Sequence, residues 1–504
     1  MFVPPGTPGL DFPPPFLDSL RGGSIIMLMP RLNPNELLIP AVPPMKIPAR
    51  IFIREGMQVE ETAIEQLKAA CALPSVVEAL GMPDIHQGYG VPIGSVVATR
   101  EIVVPAAVGY DINCGMRLLT TPLRLEEIDV KQLADSIRRD IPLGEGHHNV
   151  ALGKDDFAAV LEGGVSALFG VKHSGHRVWE AWSDDEERPL LEKIEERGSM
   201  EGGVEAVSHH AFSRGQDQLA TLGGGNHFIE IQLVEQVYDP KLAQRFGLFA
   251  GQAVVMIHSG SRGLGHQVGD DYMRLSRDYD HRHGGGQPND NLCFLPLESK
   301  EGRNYLQAMS AAANFAFANR HLMAALVKKN FRHYYGDIAL PLVYDVPHNI
   351  AKFESHHGQT LLIHRKGATR AFGPGRMAGT AFAEVGQPIL IPGSMGTASY
   401  LLVGTDAGEC SLASVNHGAG RVMSRTAAAG KRGRRGKPKR TAAISDEEFR
   451  RAMEGIYLVC EDRGSVKEEA PQAYKDIDAV IEVVREAGLA RPVARLRPKA
   501  VLKG

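Results

Sequence analysis

The sequence predicts an α+β protein built as one large domain. Three observations lead there. Strand-like apolar runs such as "AVVMIHSG" (253–260) and "ILIPG" (389–393) alternate with glycine-rich turns. The stretch "RNYLQAMSAAANFAFANRHLMAALVKKNFRHY" (303–334) is alanine-rich, with apolar residues three and four apart, and predicts a long, mostly buried helix. Between Ile51 and Ala490 no linker-like composition break interrupts the pattern, apart from one basic run.

In chain order, residues 1–45 are rich in Pro and Gly and are expected to be a disordered extension, leaving residues 46–504 as the folded domain. The segment 445–460 reads as helix. Two arginines four residues apart, Arg421 and Arg425, are expected on one helix face. The run "GKRGRRGKPKR" (430–440) lacks apolar residues and reads as an exposed basic loop.

Composition excludes several classes. A net charge of −3 says little about partners, because charges can still segregate locally. Five cysteines in 504 residues, with no CxxC pair, do not form a disulfide framework, so a reducing compartment is expected. No apolar run reaches the roughly 18 residues of a membrane span. The proline-broken start has no secretory pattern, and a cytoplasmic location without membrane contact is the expectation.

The 55 glycines cluster beside His, Asn and Ser, as loops do where backbone must approach a ligand. "VGYDINCG" (108–115) sets Asp111 and Cys114 three apart in a turn, able to reach one metal ion or two adjacent ones. Read alone, it is more simply a buried structural thiol beside a helix-capping Asp. "GGGNHFIEI" (223–231) leads through three glycines to Asn226 and His227, then a strand carrying Glu230. In "IHSGSRGLGHQ" (257–267), His258 ends an apolar strand and the following turn, with Arg262, suits an anion. "YDVPHNIAKFE" (344–354) places His348 after another strand. A mixed O, N and S donor set fits Mn, Zn, Fe or Co rather than Mg or Ca. Five candidate ligands exceed one tetrahedral site, so two metals sharing the Cys114 thiolate are expected.

A second constellation follows. The turn Gly393-Ser394-Met395-Gly396-Thr397 joins two strands and can wrap a phosphate or base edge; a plain hairpin turn is the alternative. "SVNHGAGRVMSR" (414–425) sets His417 before Gly418-Ala419-Gly420, sterically open, with Arg421 and Arg425 able to hold phosphates.

Taken in order, "GYDINCGMR", "GGGNHFIEI", "HSGSRGLG", "DVPHNIAK", "IPGSMGTAS", "HGAGRVMSR", "EAPQAYKDID" and the terminal "VLKG" resemble the motifs of the RtcB family. The resemblance runs from about Ile51 to the last residue. These are GTP- and manganese-dependent ligases that join an RNA 2′,3′-cyclic phosphate or 3′-phosphate end to a 5′-hydroxyl end, in tRNA splicing or RNA repair. The resemblance implies a single compact domain with mixed β-sheets around a central cleft. It implies two Mn²⁺ per subunit, with Zn or Co possible in their place, held by Asp111, Cys114, His227, His258 and His348. It makes His417 the histidine that becomes guanylylated. Asn226, Glu230, Ser394, Met395, Gly396, Gly418, Ala419, Gly420, Tyr474 and Lys503 match positions around the nucleotide, and Arg262 and Arg425 match phosphate contacts. RNA ends such as tRNA halves or cleaved RNA, GTP and an archease-like activator are the implied partners. Pro347, where a small residue is usual, and Asn416, where Cys is common, depart from the pattern outside the ligand positions. Two other classes fit part of these residues. A metal-dependent phosphoester hydrolase needs the cluster but not His417, and a non-catalytic RNA-end binder needs the arginines but no cluster.

Overall fold

The computed structural model describes residues 29–171, 175–284, 291–432, 438–461 and 466–504. Two mixed sheets carry the site. In the larger, neighbouring strands run in the order Leu342–Pro347, Gly115–Arg124, Gln252–Ser259, Phe228–Val237, Ala490–Lys503, Ser399–Gly404 and Pro388–Ile391, and Tyr457–Cys460 pairs parallel with Ala490–Lys503. The second sheet has the order Arg31–Asn33, Glu36–Ile39, Ala49–Phe52, Val76–His86, Ile93–Thr99, Gln359–Lys366 and Asn349–His356. A short ladder of Ala368–Arg370 with Ser414–Asn416 brings the chain of His417 up to the second sheet. The expected α+β architecture with mixed sheets is what forms.

The long helix spans Lys300–Tyr335, capped by the Ser299 side chain at the Gly302 N–H, and it is buried from Ala308 through Lys328. Its alanines let it lie close against the strand Gln252–Ser259 and the helix Arg262–Arg282. Burial on every side is why its sequence shows so little amphipathic contrast.

Three expectations change. The strands Arg31–Asn33 and Glu36–Ile39 fall inside the span read as extension, yet they pair with one another and onto Ala49–Phe52, burying Leu37 and Ile39. An apolar "ELLI" run supplies enough burial to outweigh the flanking prolines. Residues 1–28 of that reading lie outside the described residues. Second, only Asp446–Ala452 of the segment 445–460 is helix; "YLVC" at its end is β-branched and apolar enough to join the larger sheet as Tyr457–Cys460. Third, Arg421 sits in an isolated bridge to Tyr474, while Arg425 opens the short helix Arg425–Ala429, so they do not share a helix face. Of the basic run, Lys431–Arg432 pairs with Pro438–Arg440, and 433–437 lie outside the described residues.

Candidate metal centre and nucleotide cleft

Strand order explains why four distant motifs meet. The strands bearing or flanking His348, Cys114, His258 and His227 are consecutive neighbours in the larger sheet. Pro347 is opposite Gly115, Met116 is opposite His258, and His258 is opposite Phe228, so all four side chains arrive at the same sheet end. The Sγ of Cys114 lies 3.3 Å from His227 Nε2 and 3.2 Å from His258 Nε2. Asp111 Oδ2 is 2.8 Å from His227 Nε2, and His348 Nε2 is 3.4 Å from His258 Nε2. The donors therefore form a row, Asp111, His227, Cys114, His258, His348, with the thiol in the middle.

The turn that carries Asp111 and Cys114 is braced from behind. Asn113 adopts a left-handed φ of 56°, and its amide donates to the Ala313 carbonyl inside the long helix at 2.6 Å. Buried Arg320, on the same helix, donates to the carbonyls of Asn113 (2.7 Å) and Ser259 (3.0 Å) and pairs with Asp345 at 2.7 Å. Arg117 completes that ion group on the other Asp345 oxygen at 2.7 Å. The peptide N–H of His348 donates to the Cys114 carbonyl at 2.8 Å. Gly260 leaves room for Asp111: a Cβ there would stand 2.2 Å from Oδ1.

The donor chemistry fits a cation. His227 Nδ1 faces the Leu222 carbonyl at 3.1 Å, so it carries the proton, and its Nε2 then presents a lone pair to a carboxylate and a thiol. A neutral ring cannot donate at both nitrogens, and a cation between Nε2, Oδ2 and Sγ would take the place of the second proton. Burial, reinforced by neighbouring histidines, pushes His258 and His348 far below the ordinary imidazole range, so both are neutral, the form that ligates a metal. Burial and the Asp111 carboxylate push the Cys114 thiol up; a divalent ion would reverse that field. Burial opposes ionisation of Asp111; a doubly protonated His227 would outweigh it and hold the carboxyl low, and a divalent ion in place of that proton would act in the same direction.

On the other wall of the cleft, His417 Nδ1 lies 2.7 Å from Oδ2 of fully buried Asp84. A carboxylate can only accept, so the imidazole proton sits on Nδ1 and the Nε2 lone pair is left free. The His417 ring centroid is 4.8 Å from that of His348. Gly420 is required here: it has φ +79°, and a Cβ would stand 2.1 Å from the Asp84 carbonyl oxygen. Lys475 fixes the same strand by donating to the carbonyls of Pro83 (3.1 Å) and Ile85 (2.9 Å).

The cleft between the two walls has a volume of about 390 Å³. Of the residues singled out in the sequence, Asp111, Cys114, Asn226, His258, His348, Ser394, Met395, His417, Gly418, Ala419, Gly420, Arg425, Tyr474 and Lys503 line it, and His227 adjoins through the cluster. Ser394 begins a turn closed by Thr397, whose hydroxyl accepts the Ser394 N–H at 2.7 Å. Arg421 and Arg425, although not on one helix face, converge on buried Glu469 at 3.3 and 3.2 Å, and Tyr474 donates to the same carboxylate.

Three residues stand elsewhere. Gly396 packs against Pro471 and the Ala452 carbonyl. Glu230 is buried behind the wall, where it accepts from Gln232 at 2.6 Å; burial pushes its carboxyl up to about 8 against the pull of Gln232 and Lys503. Arg262 lies beyond Asp111, donating to Thr221 Oγ1 (3.1 Å) and the Gly144 carbonyl (2.9 Å), and lines a neighbouring cavity with Arg214 and His266.

Sequence reasoning missed Asp84 and Lys366. Asp84 is a carboxylate in the apolar half of the strand Val76–His86, after Ala79-Leu80-Gly81-Met82-Pro83 and just before a Gly-Tyr-Gly turn, and that anomaly is the signal that could have found it. Lys366 borders the cleft, with its ammonium on the carbonyls of Tyr89, Val91 and Ala106; burial lowers it to about 7.

Fold and site together define a candidate metal centre with a histidine, oriented by a buried carboxylate, facing the same cleft. Comparisons with known proteins give the family. The family model described as tRNA-splicing ligase RtcB matches residues 66–504. A protein of Aeropyrum pernix named tRNA-splicing ligase RtcB is 41% identical over 498 residues, covering 94% of this chain and 99% of its own. Proteins of the same name from Thermococcus kodakarensis and Nanoarchaeum equitans are 42% identical over 482 residues and 43% over 490, covering 91% and 92% of this chain and 95% and 97% of their own. The chain belongs to the RtcB family of tRNA-splicing ligases. Among the described residues no helix is long and apolar enough to cross a membrane.

Proposed function

We propose that this chain seals RNA, joining a 2′,3′-cyclic phosphate or 3′-phosphate end to a 5′-hydroxyl end at the expense of GTP, in tRNA splicing or RNA repair. The observation that carries the reading is the Asp84–His417 pair at 2.7 Å, with its free nitrogen on a cleft shared with the cysteine–histidine cluster. A metal-dependent hydrolase that activates water at its cluster does not need a nucleophile positioned this way.

Asp84 holds the Nδ1 proton, so Nε2 of His417 attacks the α-phosphorus of GTP. An N–P bond forms, the α–β P–O bond breaks, and pyrophosphate leaves. Asp84 stabilises the positive charge the ring gains. A 2′,3′-cyclic phosphate is first opened by water, which bonds to phosphorus as the P–O2′ bond breaks and the 2′-oxygen takes up a proton; the guanylyl group then passes to an oxygen of the RNA 3′-phosphate, freeing His417 and forming an anhydride. The 5′-hydroxyl attacks that phosphate and GMP departs. Ser394, Met395, Tyr474, Lys503 and the Gly418–Gly420 loop hold the guanylate, Asn226 sits between nucleotide and cluster, and Arg425 and Arg262 meet phosphates. Asp111, Cys114, His227, His258 and His348 would hold two Mn²⁺, with Zn or Co as substitutes, which supply positive charge to the triphosphate and the reacting phosphates. The central place of Cys114, 3.3 and 3.2 Å from its two histidine neighbours, supports its being the shared ligand. RNA ends, GTP and an archease-like activator are the partners of this reading, and the cytoplasm is its compartment.

The test is incubation with α-labelled GTP and Mn²⁺. An acid-labile, protein-bound GMP is expected, absent in His417→Ala with metal content unchanged. RNA joined without any adduct, or an adduct persisting in His417→Ala, overturns the reading.

A further inference from the structure

Three rings lead from the cleft to the surface, and the mechanism above uses none of them. Tyr89 and Tyr110 both border the cleft, with ring centroids 5.7 Å apart and planes tilted by 53°. Tyr110 in turn stacks on His266, at 5.0 Å and 20° between planes. Tyr110 immediately precedes Asp111, and His266 lies one turn into the helix that begins at Arg262. His266 is exposed, the two tyrosines are half-buried, and none of the three belongs to a hydrophobic core cluster. Packing therefore does not account for them.

The row is also held in place and charged along its length. The Tyr89 carbonyl is tied down by buried Lys366, which clamps the Tyr89–Val91 turn to Ala106. Beside His266 opens a cavity of about 630 Å³ with Arg214 and Arg262 among its walls, alongside Glu145 and Asp217. Farther along the same helix Arg274, Arg277 and His281, with Asp278, line a shallow groove. Arg274 is held by Asp270 and Asp271 at 3.0 and 2.8 Å, which leaves Arg277 as the cation that acts on Tyr110, beside the Asp270 carboxylate.

We propose that Tyr89, Tyr110 and His266 form a stacking platform for the terminal unpaired bases of an RNA end whose phosphate lies in the cleft. The inference rests on the RNA-sealing reading and adds to it how the end is gripped. Rings continuous with a phosphate site, flanked by arginines, match a single strand, whose bases expose flat faces at the spacing of its phosphates. Stacking of this kind accepts any base, as an enzyme acting on ends of varied sequence requires. A folded protein partner would call for a broader apolar surface than three rings provide.

The test uses a short single-stranded RNA with a 3′-phosphate and 2-aminopurine as its last base, added to the metal-loaded full chain. Stacking quenches this fluorophore, so binding should quench it. His266→Ala and Tyr110→Leu should lose most of the quenching, while Tyr110→Phe, which keeps the ring, retains it. In ligation, His266→Ala should raise KM for RNA by roughly tenfold, with kcat and RNA-free guanylylation little changed. An abasic last nucleotide should cost the wild type a similar factor and cost the variant nothing more. Equal quenching in wild type and His266→Ala, or fully additive penalties, overturns the platform. RNA that is joined without quenching removes the platform alone, whereas a chain that neither binds nor joins RNA removes the sealing reading with it.

Discussion

Replacing Asp84 by Ala deletes the acceptor that orients the His417 ring. In the wild type the carboxylate accepts the Nδ1 proton of His417 at 2.7 Å and the Gly418 N–H at 3.3 Å, in a position with no solvent exposure. Both donors share one oxygen, Oδ2, so Asn could keep both bonds through its carbonyl, and Ala is the change that removes the acceptor. Without it nothing fixes the Nδ1 proton, and the ring can carry its proton on Nε2, the atom that should attack phosphorus. A buried hydrogen bond to a charged group contributes about 1.5–3 kcal/mol. At 1.36 kcal/mol per decade, its loss slows the step by roughly ten- to a hundred-and-fifty-fold. The wrong tautomer adds to that, since a protonated Nε2 has no lone pair to offer. The assay is single-turnover formation of protein-bound GMP from labelled GTP and Mn²⁺, with rate against GTP concentration. The maximal rate should fall by at least the stated factor while half-saturation moves little, because Asp84 touches the nucleophile and not the nucleotide. Sealing of RNA already carrying the 3′-guanylate anhydride should survive. Wild-type guanylylation by Asp84→Ala would refute the tautomer argument.

Cys114→Ala removes the central donor of the row and should abolish guanylylation and ligation together, with bound metal falling in elemental analysis; wild-type-like ligation with Mn²⁺ supplied contradicts a shared thiolate. A chain starting at Met45 loses the strands Arg31–Asn33 and Glu36–Ile39 with buried Leu37 and Ile39, at about 1.5–3 kcal/mol for each side chain, so denaturant melts should show a loss of roughly 3–6 kcal/mol, whereas a start at Met29 should be neutral. Glu230 has its folded value raised from 4.5 to about 8, so the native state keeps a proton that the unfolded chain releases; stability from this group is full below 4.5 and lost as pH rises through about 8. Glu230→Gln should therefore gain on the wild type in urea melts across that window, and a constant difference would mean Glu230 is ionised when folded. Changing the seven Lys and Arg of 431–440 to Ser or Gln should weaken RNA binding and flatten its salt dependence while sparing guanylylation.

Local signals and long-range ones were unequally legible. The long helix was readable because burial on all sides leaves a dense alanine and apolar pattern, and its observed span of Lys300–Tyr335 is close to the expected 303–334. Strands ending in glycine-rich turns were readable for the same reason: the turn chemistry is written in adjacent residues. The strand Glu36–Ile39 was hidden by its composition, since four apolar-rich residues among prolines show no period until a partner strand is known. The segment 445–460 held both a capping box at Ser445–Glu448 and a β-prone "YLVC", and only the free edge of Ala490–Lys503 decided where the helix gives way to strand.

For the site, the sequence by itself determined the inventory: which histidines, which cysteine, which glycine loops, and through their ordered motifs the family. Tertiary structure decided who meets whom. Cys114 reaches His227 and His258 across 113 and 144 residues, and His417 reaches Asp84 across 333. Those contacts depend on strand order and register, which no local pattern encodes; a slip of one residue would turn each side chain to the opposite face. The supports are still less visible in sequence. Asp84, Arg320 and Asp345 are buried charges, and a charge inside an apolar stretch becomes intelligible only when its partner is seen, because the partner's field offsets the cost of leaving water.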